Sequence, residues 1–272
     1  MFEGTLKKMQ AKLTSPVEYS LPIGDELVGL NQFLGKPIRL EYAGVIQCSS
    51  CGKTTKKSYS QGHCFVCMRK LASCDMCIMK PETCHYDAGT CREPEWGDEF
   101  CFQDHFVYLA NSSGLKVGIT RHTQVPTRWI DQGASQALPI FKVKTRLQSG
   151  LVEVLLKKHV SDRTDWRKML KGAPEPRDME LERDKLLDLA KNDLDELTSS
   201  LEDGQIELLS NAKPVEINYP VLSYPEKVSS FNFDKTPIVE GELRGIKGQY
   251  LILDKGVINI RKFTSYQVKF DG

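Results

Sequence analysis

All nine cysteines of this chain fall between Cys48 and Cys101, and this clustering constrains the fold more than any other feature. The first residues, Met1-Phe2-Glu3-Gly4-Thr5-Leu6-Lys7-Lys8, lack the apolar core and small-residue cleavage site of an export signal. An odd, tightly spaced set of thiols in such a chain points to metal ligation in a reducing, cytoplasmic compartment rather than to disulfides.

Cys48-Ser49-Ser50-Cys51 and Cys64-Phe65-Val66-Cys67 are two C-x2-C pairs with twelve residues between them. Each pair can wrap one edge of a tetrahedron, and four thiolates close the sphere. A structural Zn²⁺ in a short ribbon is therefore expected, an iron–sulfur cluster being the other four-cysteine solution. His63 reads as a residue of the ribbon loop. Cys74 and Cys77 form a third knuckle that lacks two ligands. Cys84 and Cys91 complete it most simply in sequence, while Cys101-x3-His105 has the spacing of another half-site. A second metal is expected, with its ligands left open among Cys74, Cys77, Cys84, Cys91, Cys101 and His105.

Beyond the cysteines the pattern becomes one of strands. Phe106 to Ala110 is an apolar, β-branched and aromatic run, residues 111–114 are a turn cluster, and Leu115 to Thr120 is a second run, together a β-hairpin. Pro126 suits the first turn of a helix that carries Arg128 and Trp129. Ile140 to Thr145 alternates as a third strand, with Lys142 and Lys144 on one face. A helix from about Leu151, preceded by Gly150, buries Val152, Leu155 and Leu156 and places Glu153 near its N-terminus. That order suits a small α/β layer.

Tyr108 in Phe106-Val107-Tyr108, then Lys116-Val117-Gly118-Ile119-Thr120, then Arg128 together resemble the core of the GIY-YIG nuclease superfamily. The resemblance implies phosphodiester cleavage. Tyr108 would activate water, Arg128 would stabilise the phosphate, and Glu153 would hold Mg²⁺ or Mn²⁺ opposite the leaving oxygen. Lys116 stands where the second motif normally has its tyrosine, and Gln132 where some members carry a histidine. Arg121 is a further phosphate contact, with Lys142 and Lys144 extending the basic surface. Taken whole, the chain also resembles an uncharacterised bacterial family, domain of unknown function 2797, which implies no activity.

The expected class is α+β, organised in five segments. Residues 1–47 supply strands that pair with the C-terminal sheet, 48–105 bind zinc, and 106–173 form the GIY-YIG-like α/β core. Residues 174–204 hold an amphipathic helix with Leu187, Ala190, Leu194, Leu197 and Leu201 in line, and 205–272 form a β domain. The two termini are expected to build a β-rich barrel or sandwich.

A net charge of +1 argues against a uniformly polyanion-binding surface, so local balance matters more. Lys53, Lys56, Lys57, Arg69 and Lys70 occur without an acid between Tyr42 and Ser73, the 142–171 segment is basic, and Glu175 to Glu207 is acidic. No apolar run reaches the roughly 18 residues of a membrane span. The expected function is that of a zinc-containing nucleic-acid-processing protein acting on DNA or RNA. The alternative is a catalytically inactive nucleic-acid-binding or protein-interaction protein, with the 178–201 helix as a surface for a partner or for self-association.

Overall fold

Alternating apolar residues make strands of both ends of the chain, and in the computed structural model those ends meet in one sheet. The structure describes residues 1–202 and 204–272; Asp203, inside the 174–204 segment, lies outside the described residues. The N-terminal part runs through β1 (Phe2–Thr5), β2 (Gln10–Lys12), β3 (Glu18–Ile23), β4 (Glu26–Gly29) and the long β5 (Pro37–Gln47). A short β6 (Thr54–Thr55) pairs with the end of β5, and the cysteine-rich stretch contributes only α1 (Phe65–Lys70), α2 (Pro94–Phe100) and single turns.

The middle of the chain holds β7 (His105–Asn111), β8 (Leu115–Arg121), α3 (Thr127–Asp131), β9 (Gln136–Val143), α4 (Arg146–Leu156), α5 (Trp166–Met169) and α6 (Met179–Ser199). β10 (Ile206–Leu208) and β11 (Val215–Glu216) follow, then β12 (Ile238–Lys247), β13 (Tyr250–Leu253), β14 (Gly256–Asn259) and β15 (Tyr266–Asp271). The largest sheet has the order β1-β15-β5-β12-β13-β14 with β6 beside β5, the second β10-β9-β7-β8 with β11 beside β9, and the third β2-β3-β4.

The expected barrel does not close. β1 and β14, four residues each, are the free ends of an open sheet among the described residues. Its apolar face is covered instead by Tyr19, Leu21 and Ile23 of the small sheet and by Tyr108, Ala110 and Trp129 of the middle layer. Side chains alternate along a strand, so Val107, Leu109 and Val117 point the other way, toward Val152 and Leu156 of α4 and Met179, Leu186 and Ala190 of α6. β7 and β9 are thus buried on both faces. α6 begins at Asp178, whose carboxylate caps the amide of Leu181 at 3.0 Å, and it lays its apolar stripe on this sheet.

Two boundaries differ from the sequence reading for identifiable reasons. β9 starts at Gln136 rather than Ile140 because Pro139 sits opposite Tyr108, where a bulge shifts the register and no ladder N–H is required. α4 starts at Arg146 rather than Leu151. Thr145 accepts the Gln148 amide at 3.2 Å while Gln148 Oε1 accepts the Thr145 amide at 3.0 Å, a reciprocal cap that sets the start five residues earlier. Gly150 therefore lies inside the helix, where a Cβ would come within 2.6 Å of the Glu82 amide nitrogen.

Candidate functional site

β5 carries the chain into Cys48, and the amide of Ser49 returns to the carbonyl of Gly62 at 3.0 Å, which closes a loop that brings the two cysteine pairs together. The four Sγ atoms of Cys48, Cys51, Cys64 and Cys67 lie within 4.8 Å of one another, with 3.9 Å between Cys51 and Cys64. Tetrahedral zinc with bonds of about 2.3 Å places its sulfurs about 3.8 Å apart, so this set fits Zn²⁺. Burial and the neighbouring thiols of Cys51, Cys64 and Cys48 push Cys67 up to about 12. Burial also opposes ionisation of Cys48, but the amides of Cys51, Cys64 and Ser50 outweigh it and bring that thiol down to about 5. The Cys48 thiolate thus forms readily, and a bound cation would favour the Cys67 thiolate as well.

The remaining cysteines divide. Cys77, Cys84, Cys91 and Cys101 line one enclosed cavity of about 20 Å³, together with Asp75 and His85, while Cys74 is not on its wall. His105 is buried elsewhere on β7, where its Nδ1 meets the Gln103 carbonyl at 2.7 Å and burial holds its pKa down to about 4.

The hairpin, α3 and α4 bring Arg128 and Glu153 each into electrostatic range of both Tyr108 and Lys116. Tyr108 and Gly118 are register partners on β7 and β8, and the tyrosine ring lies over the glycine. A Cβ at Gly118 would stand 2.8 Å from the ring and hydroxyl, so this tyrosine requires that glycine. Tyr108 is fully buried, packs edge-on against Trp129, and donates its hydroxyl to Gln132 Oε1 at 2.9 Å. Burial, with Glu153 nearby and Arg128 opposing, raises it to about 12.

Lys116 lies on edge strand β8, 4% exposed, where burial and then Arg128 lower its pKa to about 8 against the pull of Glu153 and Asp162. Burial and then Asp162 raise Glu153 to about 7, against the pull of Lys157 and Lys116. Among the described residues, none of Lys116, Arg128 and Glu153 has an oppositely charged group within 4.0 Å. Two other buried charges are answered: Asp131 receives Lys8 at 2.9 Å and Gln249 at 2.8 Å, and Arg183 reaches Asp184 and the Ser210 carbonyl, each at 2.8 Å, whereas Lys247 has only the Gly172 carbonyl at 2.9 Å.

The other basic candidates lie apart. Lys142 and Lys144 bracket Asp104 at 2.9 and 3.5 Å, and the register sets Lys142 level with Phe106 while Lys116 is level with Ala110. Arg121 lies over the Phe100 ring at 4.9 Å. Lys157 and Lys158 face Glu82 and Asp193, so much of the basic 142–171 run is neutralised in place.

Asp162 is the residue that the sequence reading missed. It follows the end of α4, where the chain returns along β8 and the Val117 amide donates to the Ser161 carbonyl at 2.8 Å. No spacing rule anticipates that return. The family model described as "Protein of unknown function (DUF2797)" matches residues 35–268. No curated protein and no solved structure matches the chain.

Proposed function

The chain belongs to the DUF2797 family, and we propose that it is a metal-dependent phosphodiesterase acting on polynucleotides through a site of GIY-YIG type. The observation that carries this reading is the meeting of Lys116, Arg128 and Glu153, from three separate elements, without counter-ions of their own. Buried charge left unpaired is costly, and it is retained where a ligand supplies the partner. A phosphodiester is such a ligand, since its anionic oxygens match Arg128 and Lys116.

Each side chain has a distinct task. Arg128 neutralises the equatorial oxygens as negative charge develops. Lys116, at about 8, is partly neutral near neutral pH and can accept a proton from an attacking water. Tyr108 is closed to solvent, so it acts as a positioning residue whose hydrogen bond fixes Gln132 one turn beyond Arg128. Glu153, raised by burial and by Asp162, is a carboxylate that a divalent cation would stabilise, and in this reading it would hold Mg²⁺ or Mn²⁺, an ion that keeps much of its shell from water and phosphate. When bound, that ion supplies Lewis-acid stabilisation of the leaving oxygen.

The near-complete burial of Lys116 favours a second reading, a nucleic-acid-binding protein that recognises phosphate without cleaving it. Incubating the full chain with labelled single- and double-stranded DNA and RNA, in Mg²⁺ or Mn²⁺, separates the two. Cleavage that Arg128→Ala and Glu153→Gln abolish supports hydrolysis. Cleavage retained by both variants, or no cleavage by wild type on any substrate, overturns it. Salt-sensitive binding without cleavage leaves the second reading.

A further inference from the structure

We propose that Cys77, Cys84, Cys91 and Cys101 bind a second Zn²⁺ as a four-thiolate site, and that Cys74 and His105 take no part in it. The inference is independent of the phosphodiesterase reading.

Four cysteines spread over 25 residues converge on one enclosed cavity of about 20 Å³, the size of a single ion or water. Ala72, Trp96 and Gly97 supply apolar wall, and the polar side chains beside the thiols, Asp75, His85, Tyr86 and Arg92, are bonded among themselves or to neighbours: Asp75 to Arg92, His85 to Thr90 and Tyr86 to Asp98. These thiols are more widely spaced than those of the ribbon, and an ion would draw them inward.

The charge around the cavity is the second observation. Zinc with four thiolates carries a net charge of −2, which buried surroundings must offset. Arg146 provides that offset: its Nε is buried without a partner, its Nη2 donates to the Ile78 carbonyl at 2.6 Å, and its backbone amide donates to the Cys101 carbonyl at 2.8 Å. Its guanidinium thus stands beside Ile78, the residue after Cys77, and acts electrostatically on both Cys77 and Cys101.

A competing set is present. Ligand atoms of Asp75, Cys77 and His85 lie within 4.8 Å of one another. Asp75, however, already holds Arg92 at 2.5 Å and accepts the Cys77 amide at 3.3 Å, and with His85 Nδ1 engaged with Thr90 at 2.8 Å only its Nε2, 3.6 Å from Asp75, is left for a cation. A cation there would have to displace an arginine, whereas the four thiols have no such competitor.

The site would act as a clamp. Cys77 and Cys101 flank the two carbonyls that receive Arg146, and the Pro81–Thr83 turn presses on Gly150, so the metal would fix the N-terminal half of α4, the helix that carries Glu153.

Metal content of the full chain, purified under reducing conditions, tests this. Two zinc ions per wild-type chain are expected, and one for Cys48→Ser/Cys51→Ser. In that background Cys84→Ser or Cys91→Ser should remove the last ion, while Cys74→Ser and His85→Ala should keep it. Zinc-edge X-ray absorption of the wild-type chain covers variants that fail to fold, with an average shell of sulfur alone expected. One zinc in the wild type, zinc lost on Cys74→Ser or His85→Ala, or nitrogen or oxygen in the average shell would overturn the assignment.

Discussion

The cysteine ribbon and the Lys116–Arg128–Glu153 cluster satisfy charge in opposite ways. In the ribbon, two pairs close in sequence bring their sulfurs within 4.8 Å, and the one missing partner is a dication that the same four atoms enclose. The cluster is assembled from β8, α3 and α4, and each charged member lacks an ion-pair partner among the described residues. The ribbon is complete once a metal arrives, so its chemistry ends in stability. The cluster has no such enclosed partner among the described residues, the condition under which an anion and a cation could be taken up from outside.

Removing the ribbon metal should have the largest effect, because structural zinc contributes on the order of 10 kcal/mol or more to such loops. Cys51→Ser should abolish hydrogen-exchange protection in 48–67 while β7 and β9 keep theirs. Melting of all three sheets together would break the contrast, since the ribbon would then support the whole fold. Arg128→Ala should lower cleavage by about 10²-fold or more and leave the urea midpoint nearly unchanged, because no carboxylate loses a partner.

Gly118→Ala tests the hairpin beneath the cluster. The new methyl would meet the Tyr108 ring at 2.8 Å, and overpacking of this kind destabilises by about 1–3 kcal/mol in urea unfolding. Lys142→Ala should be nearly silent. Its ammonium faces Asp104 at 2.9 Å on the surface, where solvent screens the pair, so an unchanged urea midpoint and unchanged cleavage are expected.

The two regions were also unequally legible. Cys48, Cys51, Cys64 and Cys67 announce their geometry by spacing, because a C-x2-C pair fixes two ligands through local backbone alone. The hairpin order likewise places Tyr108 opposite Gly118. Asp162 could not be read, because its position depends on the chain running back along β8. Nor could the burial of Tyr108, which is set when the terminal sheet packs on the middle layer. The start of α4 was misplaced because Gly150 resembles a boundary, whereas Thr145 and Gln148 carry the stop-and-start signal. The sequence leaves barrel and sandwich both open for the terminal sheet, because strand count and pairing do not reveal whether the last edges meet, and the barrel does not close.

Glu153 gives the most direct test of the claim that the cluster is kept unpaired for a ligand. Its carboxyl stands at about 7 in the fold against 4.5 ordinarily. The associated stability is fully present below pH 4.5 and is lost as pH rises through 7, a loss of up to about 3 kcal/mol by pH 8. Urea unfolding of wild type and Glu153→Gln, at pH 4.5 and pH 8 with and without Mn²⁺, reads this linkage. The variant should be more stable than wild type at pH 8, with the gain gone at pH 4.5, and Mn²⁺ should stabilise wild type alone. A less stable Glu153→Gln at pH 8, or equal protection of both proteins by Mn²⁺, would contradict the account.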